Sequence, residues 1–118
     1  MFRENLERAL QHVDKASACH LIGIDGIPVV SVFAEDDASG SLSPLVVELS
    51  NTIGLLQRSS GDEVADLREM SLVLDHVTVV ARIVAEEYLL VLMLSPGADV
   101  GKGAQMLRLL SPWIEREM

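Results

Sequence analysis

Residues 97–103, Gly97-Ala98-Asp99-Val100-Gly101-Lys102-Gly103, are the part of the chain whose composition suggests phosphate chemistry. Glycines ahead of a lysine can cradle phosphates with backbone N–H groups while the ammonium meets the outer charge. That motif needs four residues between its glycines and a Ser or Thr after the Lys to hold magnesium. Here three residues separate Gly97 from Gly101, and Gly103, which has no side chain, follows Lys102. The stretch is expected to be a glycine-rich entry into a helix. Hydrolysis of GTP or ATP by this chain alone is not expected.

The other reactive side chains are scattered. His12, His20 and His76 fall on a helix, a strand and a turn, without the short spacing of metal ligands. Cys19 and His20 are adjacent in a β-rich run, where neighbours point to opposite faces. They read as a buried Cys and a surface His, not as a thiolate pair or a metal site. Asp36-Asp37 and Glu86-Glu87 lie in loops and read as solvated turns. No nucleophile has a base beside it. The expectation is a protein that is not an enzyme and takes no cofactor or metal.

The elements that carry these residues can be read from periodicity. Phe2, Leu6, Ala9, Leu10 and Val13 recur at helical spacing. Glu4 and Glu7 near the start and Lys15 near the end suit the helix dipole. Ala18–Ile24 and Ile27–Phe33 flank Asp25-Gly26, a strong hairpin signal because Gly accepts positive φ. Pro28 cannot donate to a ladder and favours an edge strand. Glu35 to Ser43 reads as an acidic loop leading to a second helix, capped by Ser41 or Ser43 with Pro44 in its first turn. The inner stripe of that helix is Leu42, Leu45, Val46, Leu49, Ile53 and Leu56. After a polar stretch from Ser59 to Asp66, Leu67–Leu74, Val77–Val84 and Tyr88–Leu94 have the spacing of an antiparallel meander. In the first run Arg68, Met70, Leu72 and Leu74 share one face, and Glu69, Ser71 and Val73 the other. Tyr88–Leu94 is apolar on both faces and belongs in the sheet centre. Gly101–Arg116 reads as a last helix with Met106, Leu107, Leu110, Trp113 and Ile114 inward, and Pro112 kinking or shortening it. The fold class is α+β, order α-β-β-α-β-β-β-α, in a single domain spanning residues 1–118.

The chain has 118 residues, 49% of them hydrophobic, with Val, Leu and Ile supplying 38 and aromatics only Phe2, Phe33, Tyr88 and Trp113. An aliphatic core of this size excludes intrinsic disorder. A net charge of −9 disfavours nucleic acid, whose affinity comes largely from Lys and Arg neutralising phosphates, and an anionic membrane surface. The apolar runs are too short to span a bilayer. With no signal-peptide pattern at the start and a lone cysteine, the expected location is the cytoplasm.

Ile22-Gly23-Ile24-Asp25-Gly26-Ile27-Pro28-Val29 resembles the glycine–x–aspartate–glycine hairpin of roadblock/LC7 domains. Tyr88–Leu92, Gly101-Lys102, Leu107-Arg108 and Pro112 are similar to that family's last strand and last helix. The element order matches as well, over nearly the whole chain. Gly103-Ala104-Gln105 departs from the Ala-basic-aromatic run that members often carry. The resemblance implies a profilin-like five-stranded antiparallel sheet, with the long helix on one face and the terminal helices on the other. It further implies a non-catalytic dimerising scaffold or regulator of Ras-like small GTPases. The likeness is greatest to bacterial roadblock proteins of cell-polarity and gliding-motility systems. Partners are then a second copy or another roadblock protein, and a Ras-like small GTPase bound directly or indirectly. A purely structural dimerisation subunit and a small-ligand or nucleotide-binding domain remain open.

The second helix carries an additional line, Val47, Ser50 or Asn51, and Gly54, with Arg58 at its end. Small residues let helices approach closely, and Asn or Ser can bond across a two-fold axis. Leu67–Leu74 falls at one end of the meander, and an unprotected edge rich in Leu, Val and Met invites pairing with a copy of itself. The roadblock resemblance implies pairing through the same helix and strand. The expected interface is therefore Val47, Asn51 and Gly54 with the edge strand from Arg68 through Met70 to Val73.

Overall fold

The computed structural model describes residues 2–34, 44–59 and 67–118, with the side chains of 58 and 59 excepted. The acidic loop from Glu35 to Ser43, its Asp36-Asp37 pair, the cap at Ser41 or Ser43 and residues 60–66 of the polar stretch lie outside the described residues, as does the side chain of Arg58. The elements are α1 (Phe2–His12), β1 (Ala16–Gly23), β2 (Pro28–Phe33), α2 (Pro44–Ser59), β3 (Glu69–Val73), β4 (Thr78–Val84), β5 (Tyr88–Leu94) and α3 (Val100–Arg116). The strands form one antiparallel sheet in the order β2-β1-β5-β4-β3. The α-β-β-α-β-β-β-α order and the α+β class are those expected.

Each face of the sheet has its own apolar layer. On one, α1 and α3 bring Leu6, Ala9, Leu107, Leu110 and Ile114 onto Cys19, Leu21, Val80, Leu90 and Leu92. On the other, Val46, Leu49 and Ile53 of α2 cover Ile22, Val79, Ala81, Leu89 and Val91. Alternate residues of β5 therefore serve opposite layers, which is why that strand is apolar throughout and central. Each fully buried Leu, Ile or Val contributes about 1.5–3 kcal/mol by leaving water.

The β1–β2 turn follows from its residues. Gly26 has φ +89°, a conformation that costs Gly little. The Asp25 carboxylate accepts from the Ile27 N–H at 3.1 Å, and the Gly23 N–H donates to the Ile27 carbonyl at 2.8 Å. Pro28 opens β2, which is an edge strand.

Three expectations are corrected. Trp113 is not inward but 54% exposed, while Leu107, Leu110 and Ile114 are buried. At about 100° per residue Trp113 lies a full quarter-turn off the Leu107–Ile114 stripe. Pro112 does not shorten α3, which continues to Arg116; its ring sits on the exposed side of the helix. His20 is also not at the surface but fully buried. Its strand lies between β2 and β5, and its Nδ1 shares a 2.8 Å hydrogen bond with the Ser31 hydroxyl.

Candidate functional site: the open β3 edge

The glycine-rich stretch before α3 has a structural task. The Asp99 carboxylate accepts from the Lys102 backbone N–H at 3.1 Å and caps the helix, satisfying one of its orphan donors. Gly103 is buried where α3 packs against the sheet. A Cβ there would lie 3.1 Å from Leu94 Cδ1 and 3.4 Å from Leu92 Cδ2. Cys19 is fully buried, and desolvation pushes its thiol up to about 12, away from any thiolate role. His12 and His76 are exposed, whereas Cys19 is buried. Among the described residues no group of His, Cys, Asp or Glu side chains could hold a metal ion. No helix among them is long and apolar enough to cross a membrane.

The geometry of β3 is more informative. Its register on β4 pairs Glu69 with Arg82, Met70 with Ala81, Ser71 with Val80, Leu72 with Val79 and Val73 with Thr78. Just beyond both ends, the Ile83 N–H donates to the Arg68 carbonyl and the Leu74 N–H to the Val77 carbonyl, at 2.8 and 2.9 Å. Hydrogen-bonded pairs alternate along an antiparallel ladder. Residues 68, 70, 72 and 74 therefore turn their backbone groups to β4. Glu69, Ser71 and Val73 turn theirs to the outside of the sheet. Among the described residues none covers these groups.

Side chains on the same strand divide in the other direction. Met70 and Leu72 are half-buried against the α2 layer. Val73 is 68% exposed and Leu74 beside it is exposed too. Glu69 is tied down on the α3 side. Its Oε2 accepts from Arg108 Nη2 at 2.7 Å, and its Oε1 accepts from Arg108 Nε at 3.0 Å and from Arg82 Nη1 at 3.2 Å. The hydrogen bonds from Arg108, then the charges of both guanidinium groups, hold the Glu69 carboxyl below its ordinary value near 4.5 and outweigh its partial desolvation. This bidentate fork fixes the open strand to α3.

The α2 residues named from sequence occupy different positions. Val47 is half-buried and Ser50 fully buried. Both sit over the β1–β2 turn, where a Cβ on Gly26 would lie 3.4 Å from Ser50 Oγ and 3.9 Å from Val47 Cγ1. The Ser50 hydroxyl donates to the Val47 carbonyl at 2.7 Å. Gly54 is buried in the single chain, and Asn51 is exposed. Arg68 is exposed just ahead of β3. The sequence reading missed Leu55, which is 60% exposed on the outer side of α2. Its place one turn beyond Asn51 was the available signal.

No family model and no curated protein matches the chain. Solved structures do. MglC from Myxococcus xanthus is similar at 29% identity, over 99% of this chain and 98% of that one, with a TM-score of 0.78. The gliding protein MglB from Thermus thermophilus is similar at 20% identity, over 97% and 85%, with a TM-score of 0.82. A roadblock/LC7 domain from Streptomyces avermitilis shares 16% identity over 94% and 95%, with a TM-score of 0.68. With the sheet order, the two helical layers and the hairpin in place, the chain has the fold of these gliding-motility proteins and of the roadblock/LC7 domain.

Proposed function

We propose that this chain is a non-catalytic, cytoplasmic adaptor or regulator. It dimerises with itself or with another roadblock protein and acts on a Ras-like small GTPase in a bacterial polarity or motility system. The observation that carries the reading is the open β3 edge, with three residues turned outward on a strand whose neighbours Val73 and Leu74 are exposed. A second β3 aligned antiparallel about Ser71 sets Glu69 opposite Val73 of the other copy and Ser71 opposite itself. Every outward N–H and C=O of the three residues then has a partner, and two sheets become one. Asn51 and Leu55 on α2 are the helix residues available to the same interface, with Val47 at its margin.

The GTPase part of the proposal rests on the roadblock resemblance of the sequence, and its expected mode on the arginines. Arg82 and Arg108 are committed to Glu69, so neither is poised to reach into a partner's nucleotide site. Docking through shape is the expected mode. Sedimentation of the full chain should give a dimer, and titration with a Ras-like GTPase loaded with GDP or a GTP analogue should show state-dependent binding. A strictly monomeric chain at high concentration would refute the dimer. No binding in either nucleotide state by a chain that does dimerise would refute the GTPase reading.

A further inference from the structure

Two turns at one end of the sheet, β1–β2 and β4–β5, are tied together. The Ile24 N–H donates to the Glu87 carbonyl at 2.9 Å, and the Glu87 N–H to the Ala85 carbonyl at 2.7 Å. Ala85 and Glu86 have φ of 51° and 66°, a region that residues with a Cβ seldom enter and that persists where neighbouring structure fixes it. The tie holds the exposed Glu86 and Glu87 in one turn next to the turn that carries the exposed Asp25.

Between these turns lies a groove of about 590 Å³, whose apolar wall includes Ile24, Ile27, Val29 and Tyr88 and whose charged residues are Asp25, Glu86 and Glu87. Val30 and Val32 serve the α1/α3 layer, so Val29 turns to the α2 side of the sheet. That side leaves Val29 46% and Ile27 65% exposed. No β3 residue lines the groove, so the dimer edge makes no use of it.

Every charged side chain lining the groove is a carboxylate, and among the described residues none of the three has an ion pair. Glu69, by contrast, is met by two arginines. Glu86 also borders the hollow that holds Arg68 and Arg82 and pairs with neither. Residues 35–43 and 60–66, outside the described residues, contain no Lys, Arg or His, so they bring no cation to it. Lysine and arginine carry an apolar stem beneath a charged head. Such side chains match a wall of Ile and Val beside unpaired carboxylates.

We propose that this groove docks a basic, apolar segment of a partner protein, in which arginine or lysine alternates with leucine, isoleucine or valine. The apolar side chains of the segment pack on Ile24, Ile27 and Val29, and its cations meet Asp25, Glu86 and Glu87. The net charge of −9 draws such a segment in and repels an acidic one.

The probe is a short synthetic peptide of alternating leucine and arginine with both ends blocked, titrated into the full chain at physiological salt. Methyl NMR should show shifts concentrated on Ile24, Ile27 and Val29. A peptide with glutamate in place of arginine should not bind. Ile27→Ser, which leaves the net charge unchanged, should weaken binding by about tenfold or more. The double change Glu86→Gln and Glu87→Gln should weaken it by about tenfold or more as well. Glu48→Gln, which removes an exposed carboxylate of α2 outside the groove, should leave the affinity as in wild type. Shifts scattered over the surface, or an Ile27→Ser chain that binds like wild type, would reduce the contact to diffuse attraction and overturn the proposal. So would an absence of binding, or equal losses in Glu48→Gln and the double variant.

Discussion

The two edges of the sheet are built from similar strands and end differently. At β2, the Ala34 N–H donates to the Ser17 carbonyl at 2.9 Å, so alternation turns Ser31 and Phe33 outward. The Ser31 carbonyl on that outer side accepts from Arg3 Nη1 at 3.5 Å, a long contact from the start of α1. Pro28 removes a donor at the start of the strand. A charged side chain, a proline and a packed helix are the usual means of blunting an edge. At β3 the charged residue, Glu69, is folded back to Arg82 and Arg108 instead of guarding the outer groups. The lesson is that exposure of backbone does not by itself make an interface. What matters is where the nearby charges point. Among the described residues, Arg3 reaches the outer side of β2, whereas Glu69 of β3 is turned away from its outer side.

The sharpest way to break the comparison is a matched pair of prolines. Ser71→Pro removes an N–H that faces outward, so the ladder to β4 through residues 70 and 72 stays whole. A proline here also keeps the preceding residue extended, as a strand requires. Self-association should fall by about 100-fold or more, or roughly 3 kcal/mol, measured by sedimentation. Ser31→Pro removes the corresponding outward N–H of β2 together with the hydroxyl that meets His20, and should cost stability but leave association of the folded chain unchanged. If both variants dimerise like wild type, neither edge is used. Cys19 supplies the control for folding. With its thiol pushed up to about 12 by burial, it should resist thiol reagents near neutral pH in both variants unless the chain opens. Rapid labelling of one variant would assign its loss of mass to unfolding.

A smaller effect should sharpen the role of α2 beside the open edge. Leu55→Glu places a charge on the outer side of the helix, at a residue outside both core layers. Dimerisation should weaken by about tenfold, or about 1.4 kcal/mol, with the thermal midpoint of the dissociated chain little changed. An unaltered dimer would confine the interface to β3 and remove α2 from it.

Much of this contrast was legible in the sequence. Pro28 marked one edge, the doubly apolar Tyr88–Leu94 marked the centre, and the meander order left β3 at the other end. Those inferences rest on local rules about donors and alternation, which hold wherever the strand goes. The misreadings arose where tertiary contacts decide. Trp113 looked like core because it is large and apolar, yet the helix had already filled its stripe with Leu107, Leu110 and Ile114. His20 looked like surface because it is polar, yet β1 is an inner strand and Ser31 supplies a partner. On α2, helical spacing could group Val47, Ser50, Asn51 and Gly54 but could not say which of them meet the β1–β2 turn. Which way a carboxylate on an edge strand turns is equally invisible, since the arginine that holds Glu69 comes from a helix 39 residues away.

The smallest effect tests that last point. Glu69→Gln removes the charge that draws Arg108 and Arg82 together while keeping the shape of the side chain. Because folding lowers the carboxyl's pKa, its contribution is complete above the ordinary carboxylate value near 4.5 and is lost as the pH falls through the lower folded value. The wild type should therefore lose more stability than the variant between pH 5 and roughly pH 3. At pH 7 the variant should be less stable by about 0.5–1 kcal/mol, a modest figure because the pair is partly solvated. On that basis its thermal midpoint should fall by about 2–6 °C. The comparison of edges adds a second readout. If Glu69 matters only because it is turned away from the outer edge, Glu69→Gln should still dimerise, since a neutral amide guards the strand no better than a withdrawn carboxylate. A dimer weakened as strongly as in Ser71→Pro would mean that the α3 clamp, and not the open backbone, makes β3 competent to pair.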